Sequence, residues 1–433
     1  MSSWLSRELL TPTLQRIDAT GLARADSWAP GTDEPLPAAQ VARMREKHTA
    51  SRAIAGALDR VAGAESLAEA DIVALFEARG HDFSAVCRAA DTLRARRNGV
   101  TVTYVVNRNI NYTNICTYGC KFCAFSKGRH NLGHREKPYD LSLDEIGRRT
   151  REAWARGGTE VCLQGGIRPG YTGETYLSIV QAVKSAAADI HVHAFSPLEV
   201  WHGATSLGLP LEEYLAGLKA AGLGSLPGTA AEILDDEVRD VLCPDKINTV
   251  QWLEVMEAAH AVGLKSTATI MFGHVDAYRH WARHLARVRE LQARTGGFTE
   301  FVPLPFVHME APIYLKGQAR KGPTFREAML MHAIARLVLD PLITNIQASW
   351  VKMGPHGAAL CLEAGCNDLG GVLMDESITR AAGAVHGQQL GAADMDRLIT
   401  AAGRIPRQRS TLYAATPERL APSSRMTAAG HMY

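Results

Sequence analysis

The 433-residue chain carries only eight cysteines, too few for a disulfide scaffold at that length. Nowhere does it approach the roughly 18 uninterrupted apolar residues of a membrane-spanning helix, so that class is excluded. Neither sign of charge dominates: Lys and Arg number 47 against 45 Asp and Glu, a balance of +2. Near-neutrality leaves no electrostatic footprint for nucleic acid or an anionic membrane surface. The opening stretch, Met1 to Gly21, lacks the apolar core of a secretory signal, and a soluble, cytoplasmic protein is expected. The apolar fraction is 46%, ample for a sizeable core, which rules out disorder as the main state.

Residues 1–99 are rich in Ala and Arg with helical periodicity, and read as a helical N-terminal extension. Ser66 to Glu69 looks like a capping box opening a helix, and Pro30, Gly31, Pro35 and Pro37 mark a loop. From about residue 100, β-branched runs alternate with longer amphipathic ones. Strands are expected at 101–106, 159–164, 190–195, 225–227, 265–271, 298–304 and 345–349, with a weaker one at 366–370. Helices are expected at 142–156, 174–188, 211–221, 249–262, 280–294 and 324–339. About eight βα units in about 280 residues suit an α/β fold of the (β/α)8 TIM-barrel type over residues 100–409. A doubly wound sheet would want Gly-x-Gly-x-x-Gly after the first strand, and none stands there. Residues 410–433 show no periodicity and read as a fraying tail.

The cysteines are not evenly spread. Cys116, Cys120 and Cys123 form C-x3-C-x2-C with no fourth cysteine nearby. A closed zinc site or an electron-transfer iron–sulfur cluster wants four ligands. Three on one short loop imply a cluster with an open coordination position, placed after the first barrel strand on the catalytic face. This spacing, with Phe122 before the last cysteine, resembles the signature of radical S-adenosylmethionine (radical SAM) enzymes. The resemblance implies a 4Fe-4S cluster on the three cysteines. Its open iron would chelate S-adenosylmethionine, which one-electron reduction cleaves to a 5′-deoxyadenosyl radical. The cofactors would carry the radical chemistry while the protein supplies position and excludes water.

Other strand ends carry weaker signals. Gln164-Gly165-Gly166 lets backbone approach a ligand closely, though alone it is an ordinary strand-to-helix turn. In radical SAM enzymes a similar element meets the methionyl amino group of the cofactor. His191 and His193 share one strand face, and one of them lining the barrel is favoured over a metal pair. Glu199 stands just past the same strand, where either a cofactor contact or an exposed cap fits. Glu232, His274, Asp276, His308 and Lys352 follow later strands, and so many polar strand ends point to a large polar pocket. His280 and His284 have zinc-like spacing but sit among Arg279, Arg283 and Arg287, so a solvated helix face is expected. Cys87, Cys162, Cys243 and Cys361 read as packing residues, and burial is the safer reading for Cys366.

The resemblance narrows further. Segments 109–116, 192–197, 227–234, 295–306, 349–352 and 367–371 are similar to the CofH-type, tyrosine-using subunit family of deazaflavin (FO) synthase, over residues 50–413. Leu163, Arg168 and Cys366 depart from its pattern beside these motifs, which bears on substrate detail and not on the cluster. That family couples the 4-hydroxybenzyl group of L-tyrosine to C5 of 5-amino-6-(D-ribitylamino)uracil, releasing 2-iminoacetate. The resemblance implies cofactor contacts at Phe122, Gln164, Gly165, Gly166 and Glu199. Strand-end placement makes His193, Glu232, His274, Asp276 and His308 the candidates for catalysis and substrate contact. An electron donor and a separate ring-closing radical SAM subunit are further expected partners, since the chain has a single C-x3-C-x2-C. The rival family is the aminofutalosine synthase type of menaquinone biosynthesis, which shares features near the cluster. A non-enzymatic iron–sulfur carrier is the rival of another class.

Overall fold

Among the described residues, β-branched and apolar residues at short spacing build nine strands: β1 (Thr101–Val105), β2 (Asn107–Ile110), β3 (Glu160–Leu163), β4 (His191–Ala194), β5 (Ser225–Leu226), β6 (Lys265–Phe272), β7 (Phe298–Pro305), β8 (Asp368–Gly371) and β9 (Ile405–Gln408). The structure, a computed structural model, describes residues 7–127 and 137–416. Strands β2 to β7 pair in sequence order and in parallel. A second sheet runs β8-β1-β9, and β1 leads into β2 through Val106 alone. Parallel bridges Phe301↔Ile346, Gln347↔Asp368 and Arg108↔Met374 join the two sheets into a ring of eight positions. The expected barrel is therefore present, with its seventh position held by single bridges at 345–349 in place of a full strand.

Each crossover helix turns an apolar stripe onto the ring, as the 3.6-residue period requires. The helix Pro197–Leu207 shows the local logic: Ser196 is its N-cap, Pro197 its first residue, and Glu199 bonds back to the Ser196 N–H at 2.7 Å. The helix Phe325–Leu339 is buried along its whole length, because helices Glu69–Glu77 and His81–Asn98 of the extension cover its outer face. Phe76 ties the extension to the neighbouring helix Tyr278–Thr295 as well, edge-on to Trp281 at 5.0 Å. Full burial of such a side chain contributes about 2–3 kcal/mol, so the helical extension is fastened to the barrel.

Three details differ from the sequence reading. The helix at 69–77 begins after Ala68, and Asp71, not Glu69, accepts the Ala68 N–H at 3.1 Å. β9, not anticipated, pairs in parallel with β1 from Thr101↔Ile405 to Tyr104↔Gln408. It carries Ser410–Thr416 under the barrel, where Thr411 and Tyr413 are bonded into the interior and do not fray. The rest of the expected tail, 417–433, lies outside the described residues. No helix of the described residues is long and apolar enough to cross a membrane.

Candidate active site

The loop after β2 is tied down residue by residue. Asn111 Nδ2 donates to the Gln164 carbonyl at 3.1 Å, and Thr113 Oγ1 donates to Tyr139 O at 2.8 Å. Asn114 Nδ2 donates to Lys137 O, while Asn114 Oδ1 accepts the Tyr139 N–H. The Asn-Tyr-Thr-Asn stretch thus serves as a frame for the cysteine loop. Backbone bonds continue it: Thr117 N–H to Ile167 O at 2.9 Å and Lys121 N–H to Leu242 O at 2.8 Å. Asp245 Oδ2 accepts the Gly119 N–H at 2.6 Å.

Cys116, Cys120 and Cys123 line the rim of a cavity of about 410 Å³ that runs into the barrel. Their sulfurs are not a group lying mutually within 4.8 Å, as a single tetrahedral ion would require. Three spread thiols around an open space suit a polynuclear cluster instead. Burial pushes the Cys120 thiol well up and the Cys123 thiol up, with Lys246 partly offsetting the rise at both. Ligation demands thiolates, so a cationic cluster would bind with proton release. Lys246 stands 5.7 Å over the Phe122 ring and pairs with Glu232 at 2.6 Å, linking the β5 end to the cysteine loop.

The turn after β3 meets that loop at very short range. A Cβ on Gly165 would lie 2.4 Å from the Tyr112 ring, and one on Gly166 would lie 2.2 Å from the Ile115 carbonyl oxygen. Tyr112 donates its hydroxyl to Glu199, which also accepts the Gly165 N–H at 3.2 Å. Glu199 is 2% exposed, so it is neither an exposed cap nor free: it fastens the glycine turn to the helix after β4. Burial raises its pKa above the ordinary carboxylate range despite bonds from Ser196, Tyr112 and Gly165.

The cavity floor is a polar network. Glu160 accepts from Asn107 Nδ2 at 2.9 Å and from Thr411 Oγ1 at 2.6 Å. Burial alone would raise Glu160, but His193, Thr411, His191 and Asn107 bring it below the usual range. His193 Nδ1 and His191 Nε2 each lie 2.7 Å from Ser225 Oγ, so the two imidazoles share one hydroxyl. Burial lowers both imidazole pKa values and keeps the rings neutral at pH 7. Arg409 spans Asp368 and Glu300, with Nη2 at 3.0 and 3.1 Å from their oxygens, and Tyr413 donates to Glu300.

Burial pushes Glu300 up to about 7, and Arg409 offsets this only in part. A folded pKa above the unfolded value of 4.5 means the native state binds the extra proton. The resulting stability is full below about pH 4.5 and is lost as pH rises through about 7. Glu300→Gln is expected to remove this loss, raising Tm relative to the parent by on the order of 2 °C at about pH 8 and by less at about pH 5. Thermal melts of both proteins across that range check it, and parallel pH profiles would refute it.

With this geometry in view, the comparisons are specific. Residues 110–288 match the radical SAM superfamily, and residues 295–420 match the CofH/MqnC C-terminal region. Over 328 residues the chain is 50% identical to the 5-amino-6-(D-ribitylamino)uracil–L-tyrosine 4-hydroxyphenyl transferase of Methanopyrus kandleri, covering 76% of this chain and 88% of that one. The chain belongs to the CofH-type family of radical SAM proteins. It is also 50% identical over 352 residues to the FO synthase of Streptomyces coelicolor, covering 81% of this chain but 40% of that one. The chain thus spans about two fifths of the length of the FO synthases it matches. Methylornithine synthase (PylB) shares the fold at TM-score 0.63 and 18% identity, covering 81% of this chain and 97% of that one. The hydrogenase maturase HydG of Carboxydothermus hydrogenoformans does so at 0.63 and 17%, covering 83% and 80%.

In this CofH-type chain the cavity gathers Cys116, Cys120, Cys123, Phe122, Gln164, Gly165, Gly166, His193, Glu199 and Glu232. It does not gather His274, Asp276 or His308. After Phe272 the chain turns at Gly273 (φ +100°), and Asp276 is consumed by the Gly273 and His274 N–H groups, Trp281 Nε1 and Arg320. His274 is likewise spent on Met271 O and the Val275 N–H. His308 is buried edge-on to Tyr314 at 4.5 Å, beyond the end of β7. Position after a strand is thus not position in the cavity.

His280 and His284 are buried too, contrary to a solvated face: His284 Nδ1 accepts the Leu234 N–H at 2.9 Å, and His280 Nδ1 accepts that of Ala277. Cys162 faces the cavity between Glu160 and Gln164, because alternation on β3 sends these three inward and Val161 and Leu163 outward. Cys87, Cys243, Cys361 and Cys366 are buried as expected. Sequence reasoning missed Glu160, Glu300, Lys246, Arg409 and Thr411; only the inward period of β3 and β7 marked the first two. A larger hollow of about 680 Å³, between the helices of the extension and the barrel exterior, is lined by Ala55, Leu58, Arg88 and Arg289 and contains none of the cysteines.

Proposed function

We propose that the chain couples the 4-hydroxybenzyl group of L-tyrosine to C5 of 5-amino-6-(D-ribitylamino)uracil, releasing 2-iminoacetate, as a step of deazaflavin biosynthesis. The observation that carries this reading is the 50% identity to a transferase of that name across nearly its full length. The site is consistent with it. Cys116, Cys120 and Cys123 would hold a 4Fe-4S cluster, and Gln164, Gly165, Gly166 and Glu199 would border the methionyl end of S-adenosylmethionine. Those cofactors supply a one-electron cleavage that yields a 5′-deoxyadenosyl radical. Among the chain's own groups, Phe122 and Lys246 close one wall of the site, and Glu232 holds Lys246 there. Neutral His193, its Nδ1 engaged by Ser225, offers Nε2 to a substrate proton. His193 and Glu232 are the residues proposed to contact substrate.

Only one C-x3-C-x2-C occurs in the 433 residues, so the ring-closing reaction is assigned to a radical SAM unit outside them, and reduction to an external electron donor. The test is anaerobic incubation of reconstituted, reduced protein with S-adenosylmethionine, L-tyrosine and the ribitylaminouracil, with mass detection of the coupled product. Formation of that product with 5′-deoxyadenosine is expected. Turnover only with the enolpyruvyl benzoate substrate of the aminofutalosine type would overturn the assignment. An intact cluster without 5′-deoxyadenosine would overturn the enzyme reading altogether.

A further inference from the structure

Among the described residues, the cations around the cavity have partners, with one exception. Lys246 meets Glu232, Arg409 meets Asp368 and Glu300, and Arg239 is saturated by the Ala230, Ala231 and Ile247 carbonyls. Lys352 is different. It stands in the first turn of the helix Trp350–Cys361, and its side chain lines the cavity. Among the described residues its ammonium has one polar contact, Thr379 Oγ1 at 3.5 Å, the outer limit of a hydrogen bond. The neighbouring carboxylate, Glu376, accepts the Thr379 N–H at 2.7 Å and the Arg380 N–H at 3.2 Å and forms no ion pair with it. Burial holds the Lys352 ammonium below the ordinary lysine range, and Glu376 offsets only part of this. A half-buried ammonium on the cavity wall without a counter-charge is the group that an anionic ligand would complete.

Topology says which anion. Lys352 follows the seventh ring position, whereas the cysteine loop follows the first, Gly165–Gly166 the second and Glu199 the third. In a ring of eight, the seventh and third positions face each other. Lys352 therefore faces the Glu199 position and stands three ring positions from the glycine turn, away from the cofactor's methionyl end. The uracil presents neutral carbonyls, while an amino acid presents a full carboxylate, the better complement for a compact ammonium point charge. We propose that Lys352 binds the α-carboxylate of the tyrosine substrate, with Thr379 beside it. This rests on the transferase reading above. After the Cα–Cβ bond breaks, the same carboxylate stays on the 2-iminoacetate fragment, so Lys352 would retain that fragment while the benzyl group moves to the uracil.

The test uses reconstituted holoprotein with Lys352→Met and Lys352→Arg. Equilibrium binding of L-tyrosine, of tyramine (which lacks the carboxylate) and of S-adenosylmethionine is measured without reductant, alongside KM, kcat and Tm. A charged hydrogen bond of ordinary strength predicts tyrosine affinity about 10- to 100-fold weaker in Lys352→Met, with tyramine unaffected. Affinity for S-adenosylmethionine and KM for the uracil should stay within about 2-fold, Lys352→Arg should recover most of the loss, and Tm should not fall. Unchanged tyrosine binding would overturn the proposal, as would a loss confined to S-adenosylmethionine, which would make the cofactor's carboxylate the ligand. A lowered Tm with all three ligands equally weakened would show a structural role and also overturn it. Coupled product from the parent protein together with normal tyrosine binding by Lys352→Met sinks the anchor alone. Absence of product from the parent sinks the transferase reading and the anchor with it.

Discussion

Cys120→Ser is expected to abolish formation of 5′-deoxyadenosine, by about 10³-fold or more, while leaving the barrel folded. Serine nearly matches cysteine in size but offers iron a poor ligand. Loss of an outer-sphere partner at a metal site costs about 10- to 100-fold, so loss of one of three protein ligands should exceed that. Stability should change little, because Cys120 is half-buried on a loop held by backbone bonds and by Asp245 rather than by its own side chain. Iron and sulfide content, 5′-deoxyadenosine yield and a thermal melt give the readouts. Cys162→Ser is the matched comparison: Cys162 also faces the cavity but belongs to the wall of β3, and its replacement should retain the iron. If Cys120→Ser kept its iron and cut the yield less than about 10-fold, the ligand assignment would be wrong.

The contrast between these two cysteines shows what a sequence displays and what it hides. Cys116, Cys120 and Cys123 announce themselves because a loop ligand set is local, written in one short stretch. Cys162 gives no such sign, since its direction depends on which face of β3 the barrel turns inward. The same limit explains His274 and Asp276. Both follow a strand, as a barrel's catalytic residues do, but Gly273 redirects the chain and their polar atoms go to nearby backbone. Strand periodicity was legible, and with it the barrel, although the seventh position has too few paired residues to form a strand. Arg409 was hidden for another reason. Its partners Glu300 and Asp368 come from β7 and β8, and only the unexpected pairing of β9 with β1 brings the three together.

Lys352 belongs to a third kind. Its place in a recognisable Ser-Trp-Val-Lys stretch is visible, yet its lack of an ion-pair partner is a property of everything packed around it. A sequence motif marks which residues are used together; the missing counter-charge indicates what the pocket is waiting for. Burial at this cavity therefore separates two classes of polar group. Glu160, Glu199 and Arg409 are satisfied from within and fix geometry, whereas His193 and Lys352 retain capacity for a ligand.

Gly166→Ala is expected to impair the site almost as severely as loss of a ligand, through one methyl group. The new Cβ would lie 2.2 Å from Ile115 O and 2.9 Å from Cys116 Cβ, both inside van der Waals contact. Relief requires the turn after β3 or the cysteine loop to retreat. The turn is held by the Gly166 N–H to Thr113 O bond at 2.9 Å and by Glu199 on Gly165, so the strain falls on the loop. A misplacement of about 1 Å at reacting groups costs on the order of 10²-fold, and cleavage of S-adenosylmethionine should fall by at least that factor. Overpacking of this kind also lowers stability by about 1–3 kcal/mol. Gly170→Ala isolates the cause. Gly170 follows in the same connection with φ +86°, and nothing lies within 4 Å of where its Cβ would stand, so its substitution strains the backbone without touching the cysteines. That variant should lose some stability but keep its iron and most of its rate. Equal iron content and equal rates in the two variants would show that close approach at Gly166 does not set the position of Cys116, and would return the glycine pair to the role of an ordinary turn.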